Sequence, residues 1–220
     1  RLLELLQVKG CLVTIDAIGC QKKIAAQIIE QGGDYLLAVK ENQGHLYQDI
    51  QFAFENAERH EYKGIEADYA QEVSKGHGRI EKRECWMIDD NRELNFLRHR
   101  SEWHSLKAIV LIRSHRHNGT TLSITDRYFI TSDNSSAVKL LEAKRAHWGI
   151  ENGLHWVLDV AFREDHHQLE TSNGPANFAV LRHIALNLLK QEKSVRHSVA
   201  TKRLKAGWDE SYLLRVLQVV

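Results

Sequence analysis

The hydrophobic positions of this chain change period twice, and the changes divide it. Up to residue 61, short apolar runs alternate with helical spacing. Leu2 to Val8 predicts the closing turns of an amphipathic helix, ended by Gly10. Cys11-Leu-Val-Thr-Ile-Asp16 is a β-branched run that stops in a carboxylate, the pattern of a strand buried on both faces of a sheet. Gln21 to Gln31 carries Ile24, Ile28 and Ile29 on one side and ends at Gly32-Gly33, which predicts a helix, and Tyr35-Leu-Leu-Ala-Val-Lys40 predicts a second buried strand. Strand, helix and strand in so short a stretch form a parallel unit with a right-handed crossover. Asp16 then falls at the C-terminal end of a strand, where α/β sheets place their ligands. Two strands make a thin sheet, so a further strand is expected upstream of Arg1. A helix over Gly44 to Arg59, with Leu46, Ile50, Phe52 and Phe54, closes this part.

From Tyr62 to Thr131 the period falls to two. Segments near Asp68 to Ser74, Arg79 to Ile88, Leu106 to His115 and Thr121 to Ile130 alternate or run apolar. Gly76-His-Gly78 makes one turn, and Asn118-Gly119 a tight hairpin between the last two segments. An antiparallel β insertion within an α/β domain is predicted. Helical spacing returns after Ser132-Asp-Asn-Ser-Ser136, which offers several N-caps, and runs through Glu151 to about Phe162. Gly149 and Gly153 weaken that helix locally, which fits a kink or a close approach to another backbone. Pro175 suits the first turn of a helix over Ala176 to Gln191, with Phe178, Leu181, Ile184, Leu186, Leu188 and Leu189 apolar. Lys193, Arg196, Lys202, Arg203 and Lys205 make the next stretch basic, either solvated or lying on nucleic acid, and Trp208 to Val220 predicts a last short helix. The expected organisation is a core in two parts, 1–61 and 132–192, an insertion over 62–131, and a basic helical tail over 193–220.

One stretch, Arg145 to Asp159, carries two patterns at once. Trp148, Ile150, Leu154, Trp156, Val157 and Leu158 supply enough apolar surface to bury most of a helix, yet His147, Glu151, His155 and Asp159 recur every four residues. A step of four overshoots one turn by roughly 40°, so these groups form a slowly drifting polar stripe. The stripe is either solvated and internally paired, Glu with His at i,i+4, or it carries Glu151 into a site as a metal-binding carboxylate.

Composition narrows the classes. Hydrophobic residues at 43% and charged residues at 27% are ordinary for a globular protein and exclude global disorder. No apolar run approaches a membrane span and the N-terminus lacks a signal-peptide layout, so the cytoplasm is the expected compartment. Cys11, Cys20 and Cys85 have no metal-type spacing and read as buried thiols. A net charge of +1 does not announce a nucleic-acid binder, so any basic surface has to be local. Met87 is the single methionine, so Arg1 is not an initiator and the chain is expected to be processed or a fragment.

Asp16 and Glu151 lie far apart in sequence and meet only if the helix packs beside the strand end. Converging carboxylates suit Mg²⁺, a hard cation that keeps waters and phosphates in its shell. A pair of such ions supports in-line phosphoryl displacement, chemistry that ordinarily takes three carboxylates. Glu164, Asp165 and Glu4 are weak candidates for the third. His147, Glu151 and His155 form a rival zinc set with His166-His167 nearby, although the spacing is not His-Glu-x-x-His and the ligands drift around the helix. No Gly-x-Ser-x-Gly turn, dinucleotide fingerprint or P-loop is present.

Val13-Thr-Ile-Asp-Ala-Ile-Gly-Cys-Gln21, Asp34-Tyr-Leu-Leu-Ala-Val-Lys-Glu-Asn-Gln43, His77-Gly-Arg-Ile-Glu81, Tyr128-Phe-Ile-Thr-Ser132, His147-Trp-Gly-Ile-Glu-Asn-Gly-Leu-His-Trp156, Leu158-Asp-Val160 and Glu164-Asp165 together resemble the H-repeat-associated proteins, which are bacterial insertion-sequence transposases of the DDE type. The resemblance runs in order over essentially the whole chain. It implies an RNase H-like α/β catalytic fold, N-terminally incomplete here and interrupted by the β insertion, acting on DNA with Mg²⁺ or Mn²⁺. Asp16 becomes the second acid and Glu151 the third, while the first lies on a strand preceding Arg1. Related transposases commonly have an arginine where His147 stands and a lysine where Leu158 stands, so Arg145 or Arg163 is left to replace the lost charges. Lys40, Asn42, Arg79, Arg145 and His147 are the expected DNA contacts, and a homodimer or pairing with an intact transposase the expected assembly. The chain is expected to be inactive alone; a DNA-binding or inhibitory remnant and an RNase H-like nuclease are the alternatives.

Overall fold

The β-branched and alternating segments enter a single mixed sheet. The computed structural model describes residues 3–76, 79–118, 121–166, 168 and 172–218, with the side chains of Arg79, Glu151 and Asn152 outside that set. Strand β1 (Leu12–Ile15) and strand β2 (Asp34–Val39) run parallel and are joined by helix α1 (Lys22–Glu30). Helix α2 (Gly44–Arg59) leads to four long strands, β3 (Ala67–Gly76), β4 (Arg79–Ile88), β5 (Ala108–Asn118) and β6 (Thr121–Thr131), with the short helix α3 (Asn91–Asn95) between β4 and β5. The order across the sheet is β1-β2-β6-β5-β4-β3. β6 pairs antiparallel with β2, from Leu36 opposite Thr131 to Val39 opposite Tyr128, so the strands of 62–131 and the parallel unit share one sheet. The tips of the two hairpins, His77-Gly78 and Gly119-Thr120, lie outside the described residues.

The rest is helical: α4 (Ala137–Ile150), a π-helical turn over Glu151–His155, α5 (Trp156–Phe162), α6 (Gly174–Gln191), α7 (Val199–Trp208) and α8 (Glu210–Val216). The chain divides into two compact units, Arg1–His147 and Trp148–Val220. In the first, strand alternation sends side chains to opposite faces of the sheet. Leu37, Ile109, Leu111 and Ile130 pack with Ile28 of α1 and Ile50 and Phe54 of α2. Leu36, Val110, Ile112 and Phe129 pack on the other face with Leu140 and Leu141 of α4. Each fully buried Leu or Ile contributes about 1.5–3 kcal/mol. Gly33 is required where the chain enters β2, because a Cβ there would lie 2.7 Å from the carbonyl oxygen of Val8. In the second unit Leu189, Tyr212 and Val216 form a small core.

Several expectations are corrected. Leu3–Leu5 is one 3₁₀ turn, not the end of an α-helix, and Leu5 and Leu6 are exposed; a single turn with so little buried surface does not offset the cost of nucleating a helix. β1 has apolar neighbours on both faces but stays half-exposed along its length, because it is an edge strand. Phe52 is exposed because it lies about 200° around α2 from Ile50. Cys20 and Cys85 are buried, with burial pushing each thiol up to about 12, whereas Cys11 is exposed. On α6, Leu186 and Leu189 are buried while Phe178, Leu181 and Ile184 are exposed, since the core of this unit takes one stripe of a helix that is apolar nearly all round. In the basic stretch, Lys202 turns inward, donating to the carbonyl oxygens of Leu189 at 3.1 Å and of Glu192, which closes the C-terminal end of α6. No described helix is long and apolar enough to cross a membrane.

Candidate active site

Asp16 directly follows β1 and precedes a 3₁₀ turn, Ala17–Gly19; its backbone is extended and its side chain caps nothing. The carboxylate is 63% exposed. The loop that carries it is tied to the residues after β2: Asn42 Nδ2 donates to Ala17 O at 2.6 Å and Gln43 Nε2 to Cys20 O at 2.9 Å. Two parallel strands, each followed by a 3₁₀ turn, are thus stapled together at their C-terminal ends.

Helix α4 arrives at this place from the other side. Its N-terminus is fixed by β3, since Asp68 Oδ2 accepts from the N–H of Ala137 at 2.7 Å, and by Ser136, whose Oγ accepts from Lys139 N at 3.2 Å. At its far end, His147 Nδ1 and Thr14 Oγ1 are hydrogen-bonded at 3.1 Å, and His147 Nε2 stands 3.6 Å from Asp16 Oδ1. That second distance is an ion-pair separation when the ring is protonated, and too long for a good hydrogen bond. The imidazole is 19% exposed. Lys144, one turn earlier, is buried with Nζ 5.8 Å from the centre of the Phe129 ring. Thr14, Ile15, Asp16, Leu36, Phe129, Lys144 and His147 line one narrow cleft. The first compact unit therefore contains an acid, an imidazole and an ammonium on one side of its sheet.

The other expected residues are placed as follows. Glu151 opens the π-helical turn, and its side chain lies outside the described residues. The helix over 145–159 is not largely buried: Trp156 is 60% exposed and Trp148 and Ile150 are exposed, while Leu158 is buried. Among the described residues nothing lies within 4 Å of a Cβ built on Gly149 or Gly153, so no close backbone approach is seen at them; Gly149 precedes the π turn by two residues and Gly153 lies within it. Such turns are local distortions that recur at functional sites. Arg145 is ion-paired with Glu72 of β3. Lys40 is exposed at the end of β2. Arg79 starts β4 opposite Gly76 and Asn118, its side chain outside the described residues. Arg163 ends α5 in a left-handed conformation. Among the acids beyond Glu151, Glu164 lies 3.5 Å from Arg182, and the carboxyl of Asp159 is pushed up by desolvation and then by Asp165 and Glu164. His167 lies outside the described residues.

Sequence reasoning missed Lys144 and the stapling role of Asn42 and Gln43. Lys144 was detectable in principle, because it shares a helix face with Leu140 and His147. Gln43 Nε2 reaching a carbonyl in another loop leaves no mark on the sequence.

A mixed sheet with a carboxylate just past the end of a parallel strand, and a helix bringing polar groups to it, is an α/β arrangement of the class that places ligands at strand ends. Comparison with known proteins resolves the class. The model of the transposase DDE domain matches residues 1–188, and the chain belongs to that family. Escherichia coli K12 "Putative protein YbfL" is 39% identical over 99% of this chain and 57% of its own length. "H repeat-associated putative transposase YhhI" of the same organism is 38% identical over 99% of this chain and 57% of its own length. "Putative transposase YncI" of Escherichia coli O157:H7 is 39% identical over 99% and 55%. The chain thus spans just over half the length of the curated relatives it matches.

Proposed function

We propose that this chain carries two acids of an RNase H-like catalytic site and serves DNA transposition of an insertion sequence by metal-dependent phosphoryl transfer. Asp16 and Glu151 hold the metal, Mg²⁺ or Mn²⁺. The observation that supports this most is His147 standing 3.6 Å from Asp16, four residues before Glu151.

Asp16 fits a hard cation. Its carboxylate is exposed and accepts no hydrogen bond among those described, so its oxygens are open to a ligand. Among the described residues no group of three His, Cys, Asp or Glu converges into a metal cage, so Asp16 acts together with Glu151 and a further carboxylate rather than within a ready-made cluster. The bound metal supplies charge neutralisation at the phosphoryl oxygens and activation of the attacking oxygen. The chain's own residues do the rest. Thr14 orients His147 beside the Asp16 carboxylate; Asn42 and Gln43 fix the loop; and Lys40, Asn42, Arg79, Arg145 and His147 meet the DNA backbone without reading much sequence.

The same reading makes these 220 residues inactive alone, because two carboxylates leave the positioning and electrostatic stabilisation incomplete. Purified chain with Mg²⁺ and an insertion-end duplex is expected to form a salt-dependent complex and no nicked or joined product. Joined product from this chain alone overturns the incompleteness. No complex at low salt overturns the DNA reading, and product that is only hydrolysed assigns a nuclease. A complex that persists unchanged in Asp16→Ala/Glu151→Ala protein favours the DNA-binding or inhibitory remnant. The working assembly in this proposal is a homodimer or a pairing with an intact transposase in the cytoplasm.

A further inference from the structure

Away from Asp16, two clefts open in the first compact unit and share two residues. One, of about 280 Å³, is lined by Lys22, Asn42, Gln43, Gly44, His45, Leu46, Arg98, His99 and Trp103. The other, of about 530 Å³, carries Arg100, Ser101 and Ser105 and again His99 and Trp103. Lys22, His45, Arg98, His99 and Arg100 therefore line one channel made of two adjoining clefts, with no carboxylate in its lining.

The carboxylates nearby pair with the cations and fix them. Asp49 accepts from Arg98 N at 2.7 Å and Nε at 2.9 Å, and the guanidinium reaches on to His45 Nδ1 at 2.8 Å. Glu102 is shared between Lys22 Nζ and His99 Nδ1, the latter at 2.7 Å. Arg100 is held by the side chains of Asn91 and Asn95. Three fixed cations, Lys22, Arg98 and Arg100, against two carboxylates leave one net positive charge before either histidine is protonated. The helix ends add to it. α1 opens with Lys22-Lys23 and α2 with Gly44-His45; neither has an acid in its first turn or a side-chain cap. Cations at the positive end of a helix dipole reverse the usual preference, and an anion in the channel restores it.

We propose that this channel binds a DNA strand by its phosphates, as a contact separate from the cleft at Asp16. The proposal rests on the DNA reading above. Charges spread over two adjoining clefts suit a polyanion with regularly spaced charges better than a single small anion. Asn42 belongs to both places, donating to Ala17 in the Asp16 loop while lining the channel, so a strand lying here passes beside that loop.

The test is a fluorescence-anisotropy titration of an arbitrary-sequence duplex with the full chain at several salt concentrations. Lys22→Gln/Arg100→Gln removes two phosphate contacts and is expected to flatten the slope of log K against log salt by about 1.8, with affinity falling on the order of tens of fold at 0.1 M salt. Lys22→Arg/Arg100→Lys keeps the charges and the slope. Arg59→Gln/Lys63→Gln removes the same charge from exposed ion pairs outside the channel and leaves the slope as in the parent. Circular dichroism establishes that each variant is folded. Parent-like binding by a folded Lys22→Gln/Arg100→Gln variant overturns the channel alone, whereas absence of binding by the parent overturns the DNA reading on which it rests.

Discussion

Asn42 and Gln43 are neighbours that do similar work, and the structure predicts that they are unequal. Both donate to carbonyls of the loop that begins at Asp16. Ala17 O also accepts from Cys20 N at 3.1 Å, so removing the Asn42 amide leaves that carbonyl a partner. Asn42→Ala should cost about the net value of one hydrogen bond, roughly 0.5–1.5 kcal/mol. Cys20 is wholly buried, and among the described bonds its carbonyl accepts from Gln43 alone. Gln43→Ala strands that oxygen away from water and should cost the larger desolvation penalty, roughly 1–3 kcal/mol. Urea unfolding of the two single variants and the double, followed by hydrogen exchange of the β1 and β2 amides, separates this unit from the helical one, which need not unfold with it. Equal costs for the two substitutions, or a larger one for Asn42→Ala, would refute the reasoning that the loop is held chiefly through the buried Cys20 carbonyl.

Helix α4 takes a cap from a strand, because Asp68 accepts from Ala137 N as well as from Tyr69 N at 2.8 Å. Asp68→Ala should destabilise the first unit by about 1 kcal/mol, read as a lower urea midpoint, while Asp68→Asn should recover part of it. In the second unit, hydrogen bonding from Ser194, with Tyr212 and Lys202 also contributing, holds the carboxyl of Glu192 down at about 2. A depressed folded-state pKa contributes stability that is complete above the unfolded value of about 4.3 and is lost as pH falls toward the folded one. Glu192→Gln should therefore flatten the loss of helical circular dichroism between about pH 4.5 and 2, and an unchanged acid profile would count against the pairing.

Where local periodicity and tertiary packing agreed, the sequence was legible. α2 and β4 begin and end at the residues their patterns indicate, and the strand–helix–strand unit carrying Asp16 is parallel as expected. The Asn118-Gly119 signal predicted the pairing of β5 with β6, which closes at Asn118 opposite Thr121. What was illegible depended on neighbours. A β-branched run looks alike at the centre and at the edge of a sheet, so the half-exposure of β1 was invisible. The tryptophans of the Glu151 helix have the composition of a buried face, but composition does not say which of them meets a partner. Two glycines four apart read as a weak helix; that the weakness is expressed as a π turn depends on backbone hydrogen bonding no side chain encodes. At the site, Asp16 stood out because a carboxylate closes an apolar run, whereas Lys144 was hidden in an ordinary helical pattern.

The central claim is that Asp16 and Glu151 bind one metal centre. Crystals of the chain soaked in Mn²⁺ and measured at the manganese absorption edge test it most directly. The account predicts an anomalous peak coordinated by an oxygen from each carboxylate, lost in Asp16→Asn and in Glu151→Gln protein. A peak coordinated by either residue without the other, or one that survives both substitutions, would contradict it.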